Sequence, residues 1–88
     1  MRAVITGASS GIGFATALEL TKLGHTVYAI ARREDKLNEL QRKADALKGE
    51  LIPLPFDLEN FDGKILDDYF FKKKHIDILI NNAGVLLN

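Results

Sequence analysis

The run Thr6-Gly7-Ala8-Ser9-Ser10-Gly11-Ile12-Gly13 has the clearest chemical capacity in this chain. Its glycines permit a tight turn and close approach to the backbone. A helix starting there presents free N–H groups to an anion such as a pyrophosphate. Taken alone, the run also reads as a glycine-rich turn with no ligand. Ser9 and Ser10 then serve as turn and N-cap residues rather than as hydroxyls for phosphate or ribose. Three smaller groups follow. Ala31-Arg32-Arg33 places a small neutral residue ahead of two guanidiniums, which suit a phosphate; by itself the pair reads better as solvated cations before a helix. Asp57-Leu58 offers a carboxylate acceptor or a simple turn cap. Asn81-Asn82-Ala83-Gly84 offers two amides and a glycine, or plain turn formers.

The elements that must position these groups alternate along the chain. Ala3-Val4-Ile5 is a short apolar run, as in a strand buried on both faces. Residues from Gly11 to Leu23 read as a helix with Phe14, Ala17 and Leu18 in its stripe and Gly24 at a left-handed C-terminal position. Thr26 to Ala31 is a second strand. Glu34 to Lys48 is a second helix, with Leu37, Leu40, Ala44 and Leu47 on one face, acidic Glu34 and Asp35 at its positive end, and Gly49 closing it. Leu51 to Phe56 reads as a third strand. Pro53 and Pro55 remove two ladder donors from it, which assigns it to a sheet edge. Asn60 to Lys74 is a third helix, and Ile76 to Ile80 a fourth strand. The pattern is βαβαβαβ, an α/β fold with a parallel sheet and right-handed crossovers. The prolines set the expected strand order, 3-2-1-4.

Each of the four groups thus falls just after a predicted strand, at the carboxyl edge of the sheet, where ligands of open α/β sheets bind. The motif Thr-Gly-x-x-x-Gly-x-Gly at Thr6 to Gly13 resembles the cofactor motif of the short-chain dehydrogenase/reductase family, with the glycine spacing of its compact members. The resemblance covers the whole chain and implies a Rossmann-type domain over residues 1–88, truncated relative to the family fold. It implies a dinucleotide held by Gly7, Ala8, Ser9, Ser10, Gly11, Ile12 and Gly13. Where an acid would bond a ribose 2′-hydroxyl, Ala31 is followed by Arg32 and Arg33. These look like selectors for a 2′-phosphate, so NADP(H) is preferred over NAD(H). The resemblance also implies that Asp57 accepts from the adenine amino group beside the Leu58 backbone. Asn81, Ala83 and Gly84 of the family's Asn-Asn-Ala-Gly signature would line the ribose and nicotinamide side.

The family's serine, asparagine, tyrosine and lysine of catalysis lie beyond that signature, so no catalytic residue is assigned and the 88-residue chain alone is expected to be inactive. Tyr69 and Lys73 spell Tyr-x-x-x-Lys, but in the third helix, which the fold places away from the reaction centre. Tyr69 is read as a packing residue, and Lys72, Lys73 and Lys74 as solvated cations. His25 and His75 stand in turns without a metal-ligand pattern, and adjacent Asp67 and Asp68 point in different directions.

Twelve basic and twelve acidic side chains cancel, against nucleic-acid or anionic-membrane partners, and there is no cysteine. No apolar run approaches the ~20 residues of a membrane span, and a strand-like stretch follows Met1 directly, so the expected location is the cytoplasm. The function implied is the NADP(H)-binding portion of an oxidoreductase acting on a small carbonyl or alcohol once a second half completes it. A non-catalytic dinucleotide-binding module and a gene remnant are the alternatives. Right-handed crossovers put the first two helices on one sheet face and only the third on the other. The centre of that second face is therefore expected to be bare, and the chain to associate with itself or with a missing C-terminal segment.

Overall fold

In a computed structural model that describes residues 1–9, 11–55 and 76–81, the elements follow one another as β1 (Arg2–Thr6), α1 (Gly11–Lys22), β2 (Thr26–Ala31), α2 (Glu34–Ala44), β3 (Glu50–Pro55) and β4 (Ile78–Asn81). The strands form one parallel sheet in the order β3-β2-β1-β4, as the two prolines indicated. Pro53 and Pro55 are two residues apart, so both missing donors fall on the same side of β3. Pairing with β2 continues through Pro55, as it can when that side is the outer one.

Register divides the side chains between two faces. Ile5 lies beside Ala29 and Ile80, and Val27 beside Leu51. These residues form one core with Ala8, Ala17, Ala31, Leu37, Leu40 and Ala44. The strand side chains Ala29 and Ala31 are small, which leaves depth for Leu37 and Leu40 of α2 to be buried completely. Each such leucine stabilises the fold by about 1.5–3 kcal/mol relative to an exposed one. On the other face Val4, Tyr28 and Ile30 are buried with Ile52, Leu54 and Ile76 against them. The expectation of a bare centre there is therefore incorrect. Val4 and Ile30 sit on the two middle strands and are fully buried, while Ile52 and Leu54 on β3 are partly buried and Leu79 on β4 is 47% exposed.

Helix α1 ends as its sequence predicts. Gly24 (φ 98°) donates to the Thr21 carbonyl at 3.0 Å and His25 to that of Leu20 at 3.1 Å, the paired bonds of a left-handed helix terminus. Helix α2 is shorter than predicted, ending at Ala44 instead of Lys48. The Leu47 N–H then bonds Ala44 across a tight turn at 2.9 Å, and Leu47 still packs on the core. Gly49 therefore closes no helix. Its N–H donates to the Thr21 carbonyl at 2.8 Å, and the next N–H, of Glu50, to that of His25 at 3.1 Å. A Cβ on Gly49 would lie 2.1 Å from the His25 oxygen. The glycine is needed because two turns meet backbone to backbone where β3 enters the sheet.

The fourth strand begins later than predicted, at Ile78. Asp77 precedes it and accepts from the Arg2 N–H through its carboxylate at 2.8 Å, while its own N–H donates to the Arg2 carbonyl at 2.8 Å. This clasp starts the β1–β4 pairing. The predicted third helix, with Tyr69 and Lys73, lies outside the described residues, as do Phe56 and His75.

Candidate functional site

Parallel register brings the strand ends to one level. Thr6 is flanked by Ile30 and Asn81, and Ala31 by Pro55. The segments leaving these residues are the four groups singled out above, so the first two and the start of the last share the carboxyl edge. Ser10, Asp57, Leu58, Asn82, Ala83 and Gly84 lie outside the described residues.

After β1 the chain passes through Gly7 (φ 65°) and turns back over the sheet. Ala8 is fully buried, and its N–H donates to the Ile30 carbonyl at the end of β2 at 3.1 Å. The turn is thus fastened to the neighbouring strand before α1 begins. Gly11 opens that helix with φ 45°, and a Cβ built there would meet nothing within 4 Å. A conformation that disfavours side chains and an open approach coincide at this one residue. Two residues on, Gly13 is buried, as close helix–sheet packing requires. Ile12 between them is 77% exposed beside the opening.

Electrostatics separate the two helix starts at this edge. The first turn of α1 holds no acidic residue, so its partial positive charge is left for an anion. The first turn of α2 carries Glu34 and Asp35, which neutralise it. Gly-rich turn and unneutralised helix together form a cradle that fits a pyrophosphate, with backbone N–H groups as donors and no carboxylate in the first turn of α1.

The two arginines after β2 are not equivalent. Both are exposed. The Arg33 guanidinium donates to the Asp35 carboxylate at 3.0 Å, and this bond, with the guanidinium charge, holds the Asp35 carboxyl below its ordinary 3.8. Arg32 makes no hydrogen bond or ion pair among the described residues. In the sequence Asp35 reads as a helix-start residue; its spacing two residues after Arg33 is the signal for the pair. His25 contributes through its backbone at the α1–β2 turn. A cavity of about 330 Å³ lies elsewhere, between the end of α2 and β3, lined in part by Gln41, Asp45 and Glu50. It is remote from the glycine turn.

Comparison with known proteins agrees with this geometry. The sequence model described as short chain dehydrogenase matches residues 1–88. A probable NADP-dependent dehydrogenase of Dichelobacter nodosus, encoded in the aabA 3′ region, is 38% identical over 93 residues, covering 99% of this chain and 81% of its own length. An NADPH-dependent pterin aldehyde reductase of Arabidopsis thaliana is 38% identical over 84 residues, covering 94% of this chain but 35% of the reductase. Among solved structures, a short-chain dehydrogenase from Sphingobium yanoikuyae in complex with NADPH superposes with a TM-score of 0.82 at 35% identity, over 94% of this chain and 33% of that one. The chain thus spans about a third of the length of the latter two proteins. A family match from first residue to last, on a sheet of order 3-2-1-4 with the glycine turn at its carboxyl edge, establishes that this chain belongs to the short-chain dehydrogenase family.

Proposed function

We propose that this chain is the NADP(H)-binding portion of a short-chain oxidoreductase that moves hydride between the cofactor and a small carbonyl or alcohol. The observation that carries the cofactor choice is Arg32, exposed and without an ion-pair partner among the described residues, one residue past Ala31. An acid at the end of β2 would bond a ribose 2′-hydroxyl and repel a 2′-phosphate. A methyl group followed by a guanidinium does the reverse. Names of relatives support the reading: the Dichelobacter protein is called NADP-dependent and the Arabidopsis reductase NADPH-dependent.

In this proposal the turn from Gly7 to Gly13 and the start of α1 hold the pyrophosphate by backbone N–H groups, with Ser9 and Ser10 adding hydroxyls. Arg32 binds the 2′-phosphate, with Arg33 beside it. Asp57 and Leu58 hold adenine, and Asn81, Ala83 and Gly84 line the ribose and nicotinamide side. When bound, the nicotinamide supplies or accepts the hydride. None of the eighty-eight residues is assigned the proton transfer; a further segment supplies it together with the substrate pocket. Completion by that segment also gives β4 a partner for its outer edge.

Calorimetric titration with NADP⁺ and NAD⁺ tests the cofactor assignment. A charge-assisted bond of about 1.5–3 kcal/mol gives roughly ten- to a hundredfold preference for NADP⁺. Arg32→Ala removes most of this, and Ala31→Asp turns the preference toward NAD⁺. Equal affinity for both cofactors in the unsubstituted protein overturns the assignment.

A further inference from the structure

The carboxylate of Asp35 stands beside one of the two guanidiniums at the end of β2 and not beside the other. Arg33 is the residue before α2, with extended backbone (φ −84°, ψ 98°) and no side-chain cap bond of its own. Its guanidinium instead reaches forward to Asp35, 3.0 Å away, in a pair exposed at 62% and 67%. The start of α2 also attracts the Asp35 carboxylate. Arg33 is thus tethered toward the helix start, with part of its charge already matched.

We infer that Asp35 is a specificity-setting residue, which limits the affinity for a 2′-phosphorylated dinucleotide by occupying Arg33 and leaves discrimination to Arg32. The inference rests on the proposal that these arginines face the 2′-phosphate. A phosphate arriving at Arg33 meets a like charge within one ion-pair distance. It must share the guanidinium with the carboxylate or displace it from the helix start. A cofactor with a neutral 2′-hydroxyl meets neither cost, so Asp35 acts on the ratio of the two affinities. Glu34 lies in the same first turn and has no bond to Arg33 among the described residues. The proposed effect comes from the pairing, not from acidity near the helix start.

The test is titration calorimetry of the full chain and its variants with NADP⁺ and NAD⁺ at low salt. Exposed pairs are weak, so Asp35→Asn is expected to tighten NADP⁺ binding by about two- to fivefold and to leave NAD⁺ binding unchanged. Asp35→Ser, which retains a helix-start acceptor, gives the same shift if asparagine disturbs α2. Glu34→Gln gives a smaller shift than Asp35→Asn, and in an Arg33→Ala background Asp35→Asn gives none. An unchanged NADP⁺ to NAD⁺ ratio in both Asp35 variants overturns the inference. So does an equal shift for Glu34→Gln, or a gain that survives without Arg33. Absence of any NADP⁺ preference in the unsubstituted chain instead refutes the parent cofactor assignment, and this inference with it.

Discussion

A Cβ added to Gly49 would lie 2.1 Å from the His25 carbonyl oxygen and 2.7 Å from that of Thr21, where ordinary contact begins near 3.4 Å. Both obstacles are backbone, so no side-chain rotation relieves them. Gly49→Ala must part the entry to β3 from the α1–β2 turn by about 1 Å, and forced repacking of this kind costs about 1–3 kcal/mol. The same movement stretches the bonds from Gly49 to Thr21 (2.8 Å) and from Glu50 to His25 (3.1 Å), each with a net contribution of about 0.5–1.5 kcal/mol. Reduced freedom of the unfolded chain returns about 0.4–1 kcal/mol. The expected loss is therefore about 1–5.5 kcal/mol, against the 5–15 kcal/mol typical of a domain. Urea denaturation followed by far-ultraviolet circular dichroism measures it, with Lys48→Ala as a neighbouring surface control within about 0.5 kcal/mol of the parent. A loss for Gly49→Ala as small as the control's would refute the close-approach argument.

Two further perturbations separate folding from binding at the carboxyl edge. Gly11→Ala meets no atom but keeps φ at 45°, so it costs about 1–2 kcal/mol of stability; because its methyl enters the open approach to the turn, NADP⁺ affinity falls by roughly tenfold or more if a dinucleotide binds there, and unchanged affinity by calorimetry argues against the cradle. Arg33→Ala raises the Asp35 carboxyl toward its ordinary 3.8, read by carbon-13 NMR titration. Since the folded value is the depressed one, the pair's stabilisation is present above the ordinary carboxylate range and disappears as pH falls through the depressed value; an Asp35 titration indifferent to Arg33 would show that the helix start alone sets it.

Much of the fold was legible because it depends on short-range patterns. Apolar runs of strand length alternate with helical stripes, and this alone dictates a parallel α/β sheet. Pro53 and Pro55 betray an edge strand by chemistry that any neighbour would respect, and Gly24 marks a helix end by its own backbone conformation. The glycine turn likewise announces a tight turn and an open helix start through its own residue types. Each of these signals resides in one residue or one period, so the chain carries it without reference to a distant segment.

Other features were decided by residues meeting across the fold. Helix α2 stops at Ala44, although its leucine spacing runs on to Leu47, because the chain must turn to bring Glu50 beside Thr26. Gly49 looked like the end of that helix, but the carbonyls of Thr21 and His25 give it its reason. The middle of the second sheet face is buried, with Ile52, Leu54 and Ile76 packed against Val4, Tyr28 and Ile30, a packing that crossover handedness does not specify. Arg32 and Arg33 are identical in type and adjacent in sequence. The chain by itself determined that two cations stand at the end of β2; only the folded start of α2 decided which of them Asp35 would hold, because that choice depends on a 3.0 Å contact that the backbone at Arg33 makes possible.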